Sequence, residues 1–159
     1  MTEVKNHKVE GKDDVILSPH YKKILNALMP PTCMSIEKHK YAYPASVHIN
    51  SDNRIVEAKF SLEKYTENPT KYIHNLGQNY KKLYERGEVK ACGIVYTGVI
   101  KLSRTKQQDA IILKLDSGDS YPIIFIQKFK VRSGARGKVV FDEIECEIGE
   151  PLLPKQDLK

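Results

Sequence analysis

The sequence predicts an α+β fold, in which a mostly antiparallel sheet of about six strands packs against one long amphipathic helix. Three stretches predict it: residues 91–148 read as four β-strands joined by short polar turns, residues 45–62 as a β-hairpin, and residues 68–87 as an amphipathic helix. Runs of strands with helices segregated between them are typical of α+β domains with antiparallel sheets. The predicted order is helix, two strands, helix and four strands.

The chain length favours one domain, since 159 residues can bury a core without disulfide or metal support. Residues 1–15 are polar and charged, and we expect them to form a flexible N-terminal segment. Residues 16–150 contain all the periodic segments and are predicted to form the single α+β domain. Residues 151–159 are expected to form a short C-terminal tail.

Composition indicates a cytoplasmic protein. The N-terminus has no apolar run of the kind that a secretory signal needs, and Cys33, Cys92 and Cys146 lack the paired spacing of disulfide or zinc sites. No apolar run approaches the roughly 20 residues of a membrane helix, so we expect no membrane partner. The net charge of +6 permits binding to nucleic acid, although it is also a common solubility feature.

The first helix is predicted from its start signal. Ser18 is a favourable N-cap and Pro19 a favourable first helical residue. Apolar side chains then follow at helical spacing, at Tyr21, Ile24, Leu25 and Leu28. The pair Pro30-Pro31 is expected to end this helix, because proline removes backbone hydrogen bonds from a helix interior.

A hairpin follows. Val47 and Ile49 alternate with polar residues, as in a half-buried strand, and residues 50–53 form a polar turn cluster. The segment Arg54 to Leu62 alternates apolar and polar side chains and is predicted to be the second strand.

The second helix has start and stop signals at both ends. Asn68 is the expected N-cap, Pro69 the first residue, and Gly87 the left-handed residue after the helix. Its apolar stripe, which we expect to cover one face of the sheet, consists of Ile73, Leu76, Tyr80 and Leu83.

The four following strands are predicted at Ala91–Leu102, Ala110–Asp116, Tyr121–Val131 and Lys138–Ile148. The first is apolar on both faces, so we expect it to be central and covered on both sides. Its Gly93 and Gly98 suggest a bulge or the close approach of another segment. The order of hairpin, helix and strands is similar to that of profilin-like and PAS-like folds, and cystatin-like folds would give nearly the same string of elements.

The last hairpin tip is the most distinctive polar feature. Guanidinium groups match phosphate oxygens, so a glycine-containing tip of this kind is a candidate phosphate or nucleic-acid contact. A solvated turn explains the same composition, and glutamates on the last strand offer cross-strand ion pairs to the lysines. The candidate contact residues are Lys128, Lys130, Arg132, Arg136 and Lys138.

Aromatic side chains give two further candidate sites. Tyr41 and Tyr43 follow Lys40 in a loop, where they could stack on bases while lysine holds phosphate. His48 and Tyr96 are candidates for lining a pocket in a cleft between sheet and helix.

No catalytic motif stands in the sequence, and neither a cofactor motif nor metal-ligand spacing is present, so we expect no cofactor and no metal site. The leading hypothesis is a small non-enzymatic binding module, whose partner is another protein or a second copy joined through an edge strand. The second hypothesis is a nucleic-acid-binding domain that uses the basic hairpin tip. The third is a small-ligand binder or enzyme with a cleft between sheet and helix.

Overall fold

A computed structural model describes residues 17–132 and 137–154 of the chain. The helices are α1 (Pro19–His39), α2 (Leu62–Glu67) and α3 (Pro69–Glu85), and the strands are β1 (Ala45–Ile49), β2 (Ile55–Glu57), β3 (Ala91–Lys101), β4 (Gln107–Ser117), β5 (Ser120–Val131) and β6 (Val139–Ile148). Among these residues, no helix is both long enough and apolar enough to cross a lipid bilayer.

The strands form one six-stranded sheet in the order β2-β1-β3-β4-β5-β6, with every neighbouring pair antiparallel. The predicted α+β class and antiparallel sheet are therefore confirmed. The strand β3 lies inside the sheet and is covered on both faces near its start, as its two apolar faces predicted. One face of the sheet packs against α1 and the other against α3; we name them the α1 face and the α3 face.

The first helix is longer than predicted. Ser18 caps it as expected, with its hydroxyl oxygen accepting the Tyr21 N–H at 3.2 Å, but α1 continues through Pro30 and Pro31 to His39. The buried stripe explains the continuation, because Thr32 and Ile36 extend it one and two turns beyond Leu28. Burial against the sheet therefore offsets the backbone hydrogen bonds that the prolines cannot make.

Gly93 allows α1 to approach the sheet closely. A Cβ atom at this position of β3 would overlap Ile24 of α1, and would lie 3.0 Å from Leu115 on β4. The pairing of β3 with β4 is continuous across this position, so the glycine marks a close approach and not a bulge.

The prediction of the second hairpin strand is mostly wrong. The strand β2 covers only residues 55–57, and the helix α2 begins at Leu62, where strand was expected. Ser61 competes with strand formation by capping α2, since its hydroxyl oxygen accepts the Lys64 N–H at 3.3 Å. Phe60 then packs against Tyr65 and Tyr72 in an aromatic cluster with ring-centre distances of 5.7 and 5.3 Å.

The helix α3 follows its prediction closely. Asn68 accepts the Lys71 N–H at 3.1 Å, and Gly87 has a φ angle of +76° just beyond the helix. Its apolar stripe forms a second core with Cys92 and Ile94 on the α3 face of β3. Tyr80 is at the centre of this core, and its hydroxyl bonds to Ser46 of β1.

The chain beyond β6 returns to the α3 face. Leu153 is only 2% exposed and packs in the second core with Tyr80. The buried carboxylate of Asp116 on β4 accepts the backbone N–H groups of Leu152 and Leu153, the latter at 2.7 Å. The packed chain thus extends past Pro151, where sequence analysis placed the start of a polar tail.

Candidate functional site

Two hairpin tips lie at the same end of the sheet. Because all strands are antiparallel, the β3–β4 connection at residues 102–106 and the β5–β6 connection after Val131 lie at the same end of the sheet. The two tips are separated by the single strand β4, so the ends of β3 and β5 are about 10 Å apart, which is two inter-strand spacings. Residues 102–106 and the described residues Arg132 and Lys138 therefore lie at the same end of the sheet.

The end of α1 reaches the same place. Lys40 caps this helix in the left-handed conformation, and its Cε lies 3.2 Å from the position that a Cβ of Gly137 would occupy. Its ammonium group donates to the Glu37 carbonyl at 2.8 Å. We call this region, formed by Lys40, residues 101–106 and the described residues of the β5–β6 tip, the cationic end. Its exposed cations are Lys40, Lys101, Arg104, Lys106, Lys130, Arg132 and Lys138.

Arg132 and Lys138 face each other across the β5–β6 hairpin. The Arg132 N–H donates to the Lys138 carbonyl at 2.8 Å, which continues the register of Val131 with Val139. Within the described part of the chain, no carboxylate forms an ion pair with a cation of this region. Like charges at opposed positions of a hairpin destabilise it, so an anion bound between them would be stabilising.

The predicted basic residues divide into three groups. Lys130, Arg132 and Lys138 lie at the cationic end, whereas Lys128 forms an ion pair with Glu145 of β6 at 3.1 Å. Lys128 therefore forms the cross-strand ion pair that was the alternative explanation for the lysines, and its charge is already paired. Arg136 lies outside the described residues.

Tyr41 and Tyr43 directly follow Lys40, beside the cationic end. They are 51% and 55% exposed, and their rings meet edge to face with centres 5.3 Å apart. Their hydroxyl groups are 3.5 Å apart, and this hydrogen bond raises the pKa of Tyr43. Proteins that bind single-stranded nucleic acids stack the bases on exposed aromatic rings that lie next to cations.

The β3–β4 tip was predicted only as a polar turn, and not as part of a site. Lys101, Arg104 and Lys106 give this tip as many described cations as the β5–β6 tip has. The signal was available, because alternate turns of an antiparallel meander always lie at the same end of the sheet. Lys40 could not be placed there without knowing that α1 continues past its two prolines.

A groove of about 940 Å³ opens on the α3 face, between the first half of α3 and strands β3 to β6. Tyr96 is among its lining residues, and the ammonium of Lys114 lies 5.7 Å from the centre of the Tyr96 ring. Ile73 of α3 and Ile124 of β5 supply apolar walls, and Tyr65 of α2 closes one side.

His48 does not belong to this groove. It lies on β1, where its ring packs edge-on against Tyr80 at 5.7 Å. Its Nδ1 is buried and has no hydrogen-bond partner among the described residues, and burial lowers its pKa. The structure therefore separates the two predicted pocket residues, with Tyr96 in the groove and His48 in the core beneath α3.

The edge strand β6 carries four acidic residues. They are Asp142, Glu143, Glu145 and Glu147. Antiparallel pairing of this strand with a second copy of itself would oppose carboxylates, which is destabilising. The other edge, β2, has only three residues. Neither edge offers a second copy a long and complementary strand, and the predicted homodimer through an edge strand remains a prediction.

Metal-ligating side chains are scattered. Within residues 17–132 and 137–154, no group of three or more His, Cys, Asp or Glu side chains could hold a metal ion. Cys33 and Cys146 are half-buried, and burial raises the pKa of both thiols, that of Cys146 to about 11. These two thiols are protonated at neutral pH and are poor nucleophiles.

Comparison of the chain with protein-family models, with curated proteins and with solved structures gives no match. The interpretation of function therefore rests on the geometry of the cationic end and of the groove.

Proposed function

We propose that this protein is a binding module that holds single-stranded nucleic acid at the cationic end. The observation that carries the proposal is the meeting of two hairpin tips and the end of α1, with Arg132 opposed to Lys138 and no carboxylate ion-paired to either among the described residues. We place this binding in the cytoplasm, a reducing compartment in which free cysteines stay reduced.

The charge arrangement supports a phosphate ligand. Arginine forks and lysine ammonium groups both bind phosphate oxygens, and each tip contributes cations that are exposed to solvent. A polymer with regularly spaced phosphates could contact both tips at once, since the ends of β3 and β5 are about 10 Å apart. A single small anion could neutralise only one tip.

The tyrosine pair supports single strands over duplexes. Tyr41 and Tyr43 are exposed, and Lys40 connects them to the β5–β6 tip. Aromatic side chains stack on bases that are already unstacked from their neighbours, which a duplex does not provide. Stacking tolerates every base, so we expect weak sequence preference.

The experiment is fluorescence-polarisation binding of a labelled mixed-sequence 15-nucleotide RNA and the matching DNA, as single strands and as duplexes, over a series of salt concentrations. The test variant changes Arg104, Arg132 and Lys138 to Ser. The control variant changes Lys81, Lys82 and Arg86 to Ser, which are exposed at the opposite end of the molecule. Both variants lower the net charge from +6 by three, to +3, so total charge is matched.

The test variant should lose most of its single-strand affinity, and its plot of log affinity against log salt should be shallower by about two units, at about 0.7 per phosphate contact. Tyr41→Ala should weaken binding by about 1–3 kcal/mol, whereas Tyr41→Phe, which keeps the ring, should bind nearly as the wild type does. Equal losses in the test and control variants would mean that binding follows net charge alone and would overturn the proposal.

A further inference from the structure

The groove on the α3 face shares no lining residue with the cationic end. Its volume of about 940 Å³ is within the range of small-molecule pockets. It is formed by the helix α3 on one side and by the sheet on the other, with the segment after β6 closing one end. The groove is thus built from three parts of the chain that are far apart in sequence.

One end of the groove carries a cation. Lys114 is half-buried and lies over the ring of Tyr96, and among the described residues it has no carboxylate within ion-pair distance. Glu147 also lines the groove. In the sheet register Glu147 on β6 lies opposite Ile124 on β5, and Ile124 lies opposite Lys114 on β4. The Cα atoms of Lys114 and Glu147 are therefore two strands apart, at about 10 Å, and their side chains form no ion pair. Glu150, beyond β6, is the other carboxylate of the lining.

Two further features that favour an anion line the groove. The first turn of α3 lines the groove at Pro69 and Thr70 and carries the partial positive charge of the helix terminus. Tyr65 reaches the groove from α2, and burial together with the neighbouring Tyr96 raises its pKa, so its hydroxyl stays protonated and can donate. Lysine ammonium, helix terminus and phenol all favour a negatively charged group.

Apolar side chains lie beside Lys114 in the groove, whose lining also includes polar residues and the carboxylates of Glu147 and Glu150. Ile73 of α3 and Ile124 of β5 line it, and Tyr96 offers a ring surface. We propose that this groove binds a small amphipathic anion, which places a single carboxylate or phosphate at Lys114 and an apolar body between Ile73 and Ile124. The ligand class goes beyond the proposed nucleic-acid binding, and uses none of the residues of the cationic end.

The test is calorimetric titration with three ten-carbon probes, below the concentrations at which they form micelles: decanoate, decyl phosphate and decanol. Wild-type protein should bind both anions more tightly than decanol, and the better of the two identifies the headgroup. Lys114→Met keeps the length of the side chain and removes its charge. This variant should lower anion affinity at least about tenfold and leave decanol affinity unchanged.

Two variants provide the controls. Lys114→Arg keeps the charge and should retain the preference for anions. Lys128→Met removes an equal charge from the neighbouring strand on the same face, outside the groove lining, and should change anion affinity less than twofold. Methyl resonances of Ile73 and Ile124 should shift when decanoate binds.

Three results would overturn the proposal: no binding of either anion, equal affinity for anions and decanol in the wild type, or equal losses in the Lys114→Met and Lys128→Met variants. None of these results bears on nucleic-acid binding, and the serine variants of the cationic end should keep wild-type affinity for decanoate.

Discussion

Replacing Asp116 with Asn should undock the chain segment that follows β6. The Asp116 side chain is fully buried: one oxygen accepts the Ser117 N–H at 2.8 Å, and the other accepts the N–H groups of Leu152 and Leu153. If the asparagine oxygen keeps the bond from the Ser117 N–H, the NH₂ group faces the N–H groups of Leu152 and Leu153. An NH₂ group cannot accept their hydrogen bonds. Hydrogen bonds to a charged acceptor are worth about 1.5–3 kcal/mol each, and relief of carboxylate desolvation offsets part of their loss. We expect a net loss of about 3 kcal/mol in the free energy of unfolding.

Urea denaturation of four proteins measures this: wild type, Asp116→Asn, a chain that ends at Pro151, and the combination. Truncation alone should cost about 2–4 kcal/mol, because it removes the buried Leu153 side chain and both hydrogen bonds. In the truncated chain, Asp116→Asn should cost less than about 1 kcal/mol, since the N–H groups of Leu152 and Leu153 are gone. If the substitution costs the same in both backgrounds, Asp116 does not act through this segment and the reasoning is refuted.

Two further predictions concern the core. Gly93→Ala should lower the free energy of unfolding by about 1–3 kcal/mol in urea denaturation, because its Cβ would overlap Ile24, whereas Gly98→Ala on the same strand meets only the terminal methyl of Ile112 and should cost less. Comparable costs at the two glycines would contradict the close packing of α1. Burial lowers the pKa of His48 below its unfolded value of about 6.5, so on acidification the unfolded chain binds the proton first, and stability is lost as pH falls through about 6.5 toward the folded pKa. His48→Gln should flatten this part of the pH–stability curve between about pH 7 and pH 5, and an unchanged slope would show that other groups cause it.

The sheet and α3 could be predicted because their signals are local. Alternating apolar residues marked β3 to β6, and Asn68, Pro69 and Gly87 marked the ends of α3. The full length of α1 could not be predicted from the same rules, because Pro30-Pro31 is a local stop signal. Burial of Ile36 against a sheet far away in sequence outweighs that signal.

The hairpin shows the opposite error. Val56, Ala58, Phe60 and Leu62 alternate as a strand should, yet Leu62 is 40% exposed and begins α2. A local cap at Ser61 and the aromatic cluster around Phe60 decide the structure there. The alternation of apolar and polar residues therefore predicted a strand, but beyond Glu57 the segment has no partner strand to pair with.

The candidate sites were predictable to different degrees. The opposed tips of the cationic end follow from the antiparallel meander alone, and only Lys40 required the true length of α1. The groove depended on tertiary structure, because Tyr65 lies on α2, a helix that the sequence did not predict, and Leu152 lies in the segment taken for a tail.

We propose that the cationic end binds single-stranded nucleic acid. The most direct measurement is the salt-dependent affinity of a labelled 15-nucleotide single strand for two charge-matched variants. One changes Arg104, Arg132 and Lys138 to Ser, and the other changes Lys81, Lys82 and Arg86. We predict that only the first loses affinity, with a salt dependence shallower by about two units. Unchanged affinity in the first variant, or the same loss in both, would contradict the account.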